Sequence, residues 1–450
     1  MNNTMSKIKA LIFLSAFISL QKSSAQTTDT LRVLSYNVLY LGDTPPCQGP
    51  HSTWEGYVKT ILSYANADIV GFVKRASEDT YGSAPAGFAD SLLVQSFNAA
   101  FPGRYAYCPY TNVSEADNIS TLYYNQEKLG YESILSTYSN ITDFDTYKLY
   151  YKSTDLATTH DTIFLYVTLN HTNSGSGSSD ATTRGQQIAG EMAAIETHFG
   201  SLPNMINMGD FNFHTSTETG YQTLVAPTNL NYRYYDPPFY PDAIYSYPAD
   251  WDNNPSDYAS SLTVSTRENS GSPNSCSSDV DGGKSWYDHI FLSKNIINNA
   301  DHIGYMSNSF KVMGNDGNRL GISVNSSPSN TSAPTAVIND IFEMSEHYPI
   351  MLDLVVNNIA TSVPNVAVEK DQISVVNPAD GMLNIHFPPS LTGKNTGFTC
   401  TDVLGRVQIK EDLLQVAGTV QIPLNLQTGV YYLTFTQDGL IVGQMSIFKK

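Results

Sequence analysis

The chain has 450 residues, a formal net charge of −18 and 41% apolar content, ordinary for a globular protein. A length beyond about 250–300 residues exceeds what one hydrophobic core organises, so two domains are expected. The negative charge argues against strong non-specific binding to nucleic acid or to an anionic membrane, because both attract basic surfaces. It leaves a phosphate-bearing substrate open, since the local field of a cleft or a bound metal can outweigh the global one.

At the start of the chain, Lys7 and Lys9 precede an apolar run from Ala10 to Leu20 and a small-residue site, Ser23-Ser24-Ala25. That three-part order is that of a secretory signal peptide over residues 1–25, and the run is too short for a membrane span. The mature chain is expected to start near Gln26, outside the cytoplasm.

From residue 26 to 358, short β-branched and aromatic runs alternate with polar loops and a few amphipathic stretches. Strands are expected at Leu31 to Leu39, Asp68 to Val73, Thr121 to Tyr124, Thr162 to Leu169, Asn204 to Asn207, Asp288 to Leu292 and Ile350 to Val356. Helices are expected at Trp54 to Tyr64, Phe88 to Asn98 and Thr183 to Phe199, where apolar positions recur at three and four residues. Few strands are separated by full helices, so a mixed, largely antiparallel sandwich fits better than a regular βαβ series. Cys47, Cys108, Cys276 and Cys400 form no CxxC pair, which argues against zinc; an exported chain permits disulfides, with one bridge in the large domain and Cys400 free as the preferred arrangement.

Within this region several segments carry candidate chemistry. Leu34-Ser35-Tyr36-Asn37 is an apolar strand ending in an amide. Asn170-His171 closes another strand before a glycine and serine loop. Asn207-Met208-Gly209-Asp210-Phe211-Asn212 presents an acceptor and an amide two residues apart, so that alternation directs Asp210 and Asn212 to one side, suited to taking a water proton and donating to a phosphate oxygen. Tyr287-Asp288-His289 and Ser345-Glu346-His347-Tyr348-Pro349 offer an acid and a distant histidine. A carboxylate fixes the tautomer of an imidazole and raises its basicity.

In order and spacing these segments resemble the endonuclease/exonuclease/phosphatase family, which includes deoxyribonuclease I-like members. The resemblance runs over nearly the whole large domain. It implies a four-layer α/β sandwich, two packed mixed β-sheets flanked by helices, with the site at one rim. It further implies attack by water on a phosphodiester or phosphomonoester, with Mg²⁺ or Mn²⁺ stabilising charge on the phosphoryl oxygens. Carried over, Asn37 and Glu346 are metal-associated, His171 contacts phosphate or acts as general acid, Asp210 orients water, Asn212 holds phosphate, and Asp288 pairs with His347.

One position breaks the pattern. In Asp68-Ile69-Val70-Gly71-Phe72-Val73-Lys74 the family's principal metal-binding glutamate is replaced by Lys74. An ammonium repels a hard cation where a carboxylate binds it. Glu346, where the family has aspartate, keeps the charge. Glu78 and Asp79 are the nearest acids that could substitute. Two functions therefore stand side by side: a metal-dependent phosphoesterase, and a non-catalytic phosphate- or anion-binding protein in which Lys74 takes the metal's place. A third, glycan binding by the aromatic loop Tyr232 to Pro241 among 29 tyrosines, has packing as its simpler explanation.

Near Ala360 the texture changes to a short polar, proline-containing linker, placed at 359–370. Residues 371–450 then alternate as a small all-β sandwich does. Asn377-Pro378, Gly381-Met382-Leu383-Asn384-Ile385, Asp402-Val403-Leu404-Gly405-Arg406, Gly429-Val430-Tyr431 and a lysine end resemble the type IX secretion sorting domain of Bacteroidota. That resemblance implies export through the periplasm and then by the type IX machinery, to the surface or medium. A monomer is expected.

Overall fold

The computed structural model describes residues 27–42, 47, 49, 51–77, 88–153, 156, 162–270, 276–358, 373–375, 379, 381–388, 391, 395–403, 405–414, 416, 418–437 and 440–449. The expected leader, the expected linker, Glu78, Asp79 and Asn377-Pro378 lie outside the described residues. The chain divides into two compact units, Gln26–Ile359 and a second containing Ala360–Lys450.

Among the described residues the larger unit holds thirteen strands: β1 (Thr27–Leu41), β2 (Ile69–Ala76), β3 (Tyr105–Tyr107), β4 (Asn118–Asn125), β5 (Leu129–Asn140), β6 (Thr142–Tyr151), β7 (Ile163–His171), β8 (Met205–Asp210), β9 (Tyr234–Tyr235), β10 (Asp288–Ser293), β11 (Ile303–Tyr305), β12 (Lys311–Val312) and β13 (Ile350–Asn358). They form two sheets, ordered β11-β13-β1-β2-β4-β3, with β12 also on β13, and β5-β6-β7-β8-β10-β9. β1 and β2 run parallel, as do β7 and β8. The long β1–β13 and β5–β6 pairings are antiparallel.

Burial explains the composition of the central strands. Ile69, Val70, Phe72 and Val73 of β2 are all buried, because one face of the sheet meets the second sheet and the other meets helices. Gly71 marks the closest approach: a Cβ there would lie 2.6 Å from Leu169 of β7 and 2.8 Å from Met208 of β8. On the outer face of the first sheet, helix His51–Ala65 buries Trp54, Val58, Ile61 and Leu62 beside helix Thr335–Met344, which buries Val337, Ile338, Ile341 and Met344. On the second sheet, helix Ser178–Glu196 pairs with helix Thr219–Val225 through Ile188, Met192, Tyr221 and Leu224. Each fully buried aliphatic or aromatic side chain contributes about 1.5–3 kcal/mol. The result is a four-layer α/β sandwich.

The expected strands and helices are present with shifted ends. The stretch expected as one helix from Phe88 is broken into Phe88–Leu92, a π-helical turn at Leu93–Phe97 and Asn98–Ala100. Helix Thr335–Met344 and the β5–β6 hairpin were not among the expected elements. The hairpin's Ser-, Thr- and Tyr-rich sequence alternates weakly, and β5 is mostly only half-buried. Cys47 is bonded to Cys276, and Cys108 and Cys400 are buried free thiols.

The smaller unit has sheets β14-β15-β18 and β17-β16-β19-β20, formed by Ser374–Val375 (β14), Met382–His386 (β15), Thr396–Asp402 (β16), Val407–Leu413 (β17), Thr419–Pro423 (β18), Gly429–Gln437 (β19) and Leu440–Lys449 (β20). Leu383, Ile385, Phe398, Leu433 and Phe435 form its core. Its Asp402 to Arg406 motif is a turn in which Asp402 accepts from the Arg406 backbone at 3.0 Å and side chain at 2.7 Å. Gly405 supplies the left-handed backbone, φ 76°, that this turn requires.

Candidate functional site

Register places three of the expected residues in one row. His171 at the end of β7 is the partner of Asp210 at the end of β8, which in turn is the partner of Asp288 at the start of β10. Residues opposite one another on neighbouring strands present their side chains to the same face. The glycine before Asp210 is required by a close approach, since a Cβ on Gly209 would sit 1.9 Å from the Asn170 carbonyl oxygen. Asn212 follows in the left-handed region at φ 50°, and its backbone N–H donates to Asp210 Oδ1 at 3.0 Å. The Asn212 side chain donates to the Thr172 carbonyl at 3.0 Å. One of its two amide hydrogens therefore ties the β7 loop to the β8 loop, which leaves one for a phosphate.

The other sheet supplies the facing side of the site. His347, just before β13, bonds through Nδ1 to Asp288 Oδ2 at 2.8 Å. Its Nε2 lies 3.7 Å from Asp210 Oδ2 and 3.3 Å from Asn37 Nδ2. Asn37 Nδ2 donates to Asp210 Oδ2 at 2.8 Å, while its Oδ1 accepts from the Leu39 N–H at 3.0 Å. Ser345 fixes this junction: its hydroxyl donates to the Asn37 carbonyl at 2.7 Å and accepts from the His347 N–H at 3.1 Å. Asn37, Asp210, Asp288 and His347 are all buried.

Electrostatics divides the roles within this group. Burial, with Asp288 adding to it, pushes Asp210 up to about 6, against the opposing pull of His347, Lys74 and the Asn37 hydrogen bond. For His347 burial acts the other way, but Asp288, Asp210 and Glu346 outweigh it and raise the imidazole to about 9. His171, 4.0 Å from Asp210, is held well below the usual histidine range, by burial first and then by Lys74 and His347. At neutral pH the group is then a basic carboxylate beside an imidazolium, with His171 neutral. A neutral His171 can bind phosphate through a hydrogen bond.

Lys74 enters the site through a bulge. β2 pairs Val73 with Asn37 and then Arg75 with Leu41, and the intervening Lys74 has φ 58°. A left-handed conformation costs a non-glycine residue about 1–2 kcal/mol, and bulges of this kind re-aim a side chain. Here the side chain, 13% exposed, puts its Nζ 3.9 Å from Glu346 Oε1 and 4.5 Å from the centre of the Tyr40 ring. Glu346 Oε2 accepts the backbone N–H groups of Ser278 at 2.8 Å and Asp279 at 2.9 Å. Its Oε1 is buried with no hydrogen-bond partner, so Lys74 is what faces it.

Among the described residues, which leave out Glu78 and Asp79, the donors at this corner do not suit a divalent ion. The donors expected there reduce to Glu346 Oε1 and an Asn37 oxygen already bound to a backbone N–H, and an ammonium stands beside the first. Mg²⁺ requires near-octahedral oxygen ligation by one or two carboxylates and water, and a fixed cation at this range opposes it. Among the described residues, the group with metal-ligating spacing is Asp210, Asp288 and His347, whose ligand atoms lie within 4.8 Å of one another. Those atoms are largely engaged with one another and with Asn37.

Several contributors had no sequence signal. Arg267, buried, adds a second positive charge near Glu346. Tyr40 underlies Lys74. Beside Asn212 opens a cleft of about 400 Å³ whose walls include Ser176, His214, Asp252, Asp279, Lys284 and Tyr287. All but Tyr40, which lies in β1, come from loops, where composition does not announce position. The Gly314 to Arg319 segment is a turn closed by Arg319 on Asp316 at 2.9 Å.

No protein-family model matches the chain, and no curated protein does. Similar solved structures include an endonuclease/exonuclease/phosphatase from Beutenbergia cavernae DSM 12333, 11% identical over 93% of this chain and 99% of that one, with a TM-score of 0.40. TDP2 from D. rerio, complexed with a single-strand DNA product, is 14% identical over 72% of this chain and 99% of that one, TM-score 0.40. ANGEL2, a 2',3'-cyclic phosphatase, is 13% identical over 75% and 99%, TM-score 0.41. Likenesses at this level carry no argument about activity, which rests on the geometry above.

Proposed function

We propose that the large unit binds the phosphoryl group of a phosphodiester or phosphomonoester and hydrolyses it, with the Lys74 ammonium as the fixed cation of the site. The observation that carries this is the buried array in which Asp288 holds His347 at 2.8 Å and Asn37 and His347 converge on one oxygen of Asp210. In its ionised form Asp210 takes the proton of a water attacking phosphorus. Imidazolium His347 and Lys74 oppose the negative charge on the phosphoryl oxygens, and His171 and Asn212 donate hydrogen bonds to them. The ester P–O bond breaks and the departing alcohol is protonated by solvent.

A second function is favoured by one specific feature, the Lys74–Glu346 pair. A lysine binds phosphate as a point charge, so the same site would bind a phosphate or other anion without turnover. Assay of the purified protein against a generic phosphomonoester and phosphodiester, with and without Mg²⁺, separates the two. Turnover that disappears in Asp210→Asn supports the hydrolase. Phosphate binding without turnover on any substrate supports the anion-binding protein, and the absence of both contradicts either.

The setting is also proposed. A signal peptide over residues 1–25 and a tail resembling the type IX sorting domain support export to the cell surface or medium, with the secretion machinery as a partner. Immunodetection of the native protein in the medium, lost on deletion of residues 371–450, is the test.

A further inference from the structure

The cleft beside Asn212 begins where the phosphoryl site ends, because Asn212 belongs to both and the Asp279 N–H that holds Glu346 belongs to its wall. Its volume, about 400 Å³, falls in the range of small-molecule pockets, about 300–1,000 Å³. Its walls are fixed. On one side, buried Arg184 donates to the carbonyls of Asn173 at 3.2 Å and Gly175 at 2.7 Å and is anchored on Glu218 at 2.9 Å. His214 then bridges that loop to the other side, meeting the Gly175 carbonyl at 3.1 Å and the carboxylate of Asp252. Opposite, Asp252 accepts from the Ser285 hydroxyl at 2.7 Å, and Lys284 pairs with Asp279 at 3.2 Å.

The chemistry of these walls is balanced rather than basic. Two carboxylates, Asp252 and Asp279, face Lys284 and His214, with serine hydroxyls between them. A nucleic-acid strand continues as a polyanion and selects a basic track, which this cleft lacks. A lipid chain selects apolar walls, and the one large ring here, Tyr287, is buried against His214 at 5.1 Å. A hydroxyl group both donates and accepts, so an array of fixed carboxylates, hydroxyls and an ammonium is matched by a group carrying several hydroxyls.

We infer that this cleft holds the alcohol part of the ester, and that this part is a compact, hydroxyl-rich group without net charge, a sugar or polyol. The inference rests on the phosphoryl site proposed above. It assigns substrate selection to Asp252 and Lys284, with Asn212 marking the boundary between the phosphate and its alcohol.

Calorimetric titration of the whole protein with inorganic phosphate, phenyl phosphate and a hexose 6-phosphate tests it. The hexose phosphate is expected to bind about ten-fold or more tighter than phenyl phosphate, the yield of two or so net hydrogen bonds. In Asp252→Asn and separately in Lys284→Ala, where the side chain is 32% exposed, the ratio of hexose phosphate to inorganic phosphate affinity falls. Equal binding of the hexose and phenyl esters, or a ratio unmoved in both variants, overturns the inference and leaves the phosphoryl site standing. If inorganic phosphate and both esters fail to bind, the phosphoryl site falls and the inference with it.

Discussion

The Lys74 ammonium lies 3.9 Å from Glu346 Oε1, a carboxylate oxygen that is buried and has no hydrogen-bond partner. The pair sits at the corner where the resemblance calls for a metal held by two carboxylates. One carboxylate is kept and the other is replaced by a cation, so the corner carries a fixed positive charge from the chain itself. Tyr40 beneath Lys74 and the bulge at φ 58° hold the charge toward the site rather than toward solvent.

The pH dependence of turnover follows from two shifts of opposite consequence. Asp210 must be ionised to take a proton, so activity rises as pH passes through about 6. His347 must be protonated to oppose phosphoryl charge, so activity falls as pH passes through about 9. The two groups are 3.7 Å apart and titrate as a pair. A bell-shaped kcat/KM profile with a plateau between these values is expected; a profile that rises monotonically to pH 10 would remove His347 from this role.

Asp288→Asn keeps the shape of the Asp288–His347 contact but removes the charge that sustains the imidazolium. The upper limb of the profile should move to lower pH, and turnover at pH 8 should fall by about 10²-fold, the lower end of what an acid–base group contributes. A variant that lost activity without moving the limb would point to a purely structural contact. Full pH profiles of the two proteins make the distinction.

Stability should decline with pH because of a residue behind the site. Glu191 is buried, its Oε1 accepts from Asn207 at 2.6 Å, and burial raises it to about 8 despite its hydrogen bonds to Asn170 and Asn207. Its folded-state value lies above the unfolded one, so the folded state prefers the proton. The contribution is full below about pH 4.5 and is lost as pH rises toward 8. Glu191→Gln should flatten that decline and raise Tm at pH 8, measured by scanning calorimetry; a lower Tm at every pH would contradict it.

The Cys47–Cys276 bridge joins positions 229 residues apart, and Cys276 stands two residues before the Ser278 N–H that binds Glu346. Removing a bridge of this kind typically costs about 2–5 kcal/mol. Cys47→Ser with Cys276→Ser should lower Tm and weaken phosphate binding together, read by thermal melts and calorimetry. Unchanged phosphate affinity in a destabilised protein would show that the bridge does not position Glu346.

The candidate site was largely legible in the sequence because strand ends carry it. The segment Asn207 to Asn212 is a buried strand end with an obligatory glycine, and the histidines and acids stand at or next to the ends of other strands, so each motif announces both its element and its residue. Lys74 was legible as an anomaly, but its direction was not: simple alternation takes no account of the bulge that turns it inward. Arg267, Asp252 and Lys284 were illegible, since loops acquire position from distant closures such as Cys47–Cys276 and Arg184–Glu218. The β5–β6 hairpin escaped for a related reason, its half-buried β5 alternating too weakly to stand out.

Titration of inorganic phosphate into the protein in the presence of a chelator, alongside Lys74→Ala and Lys74→Glu, tests the role of this ammonium most directly. Binding that is unaffected by the chelator, falls by about ten-fold or more in Lys74→Ala, and returns in Lys74→Glu only when Mg²⁺ is added is the expected result. Wild-type binding that vanishes with the chelator and is restored by Mg²⁺, with Lys74→Ala no weaker, would contradict it.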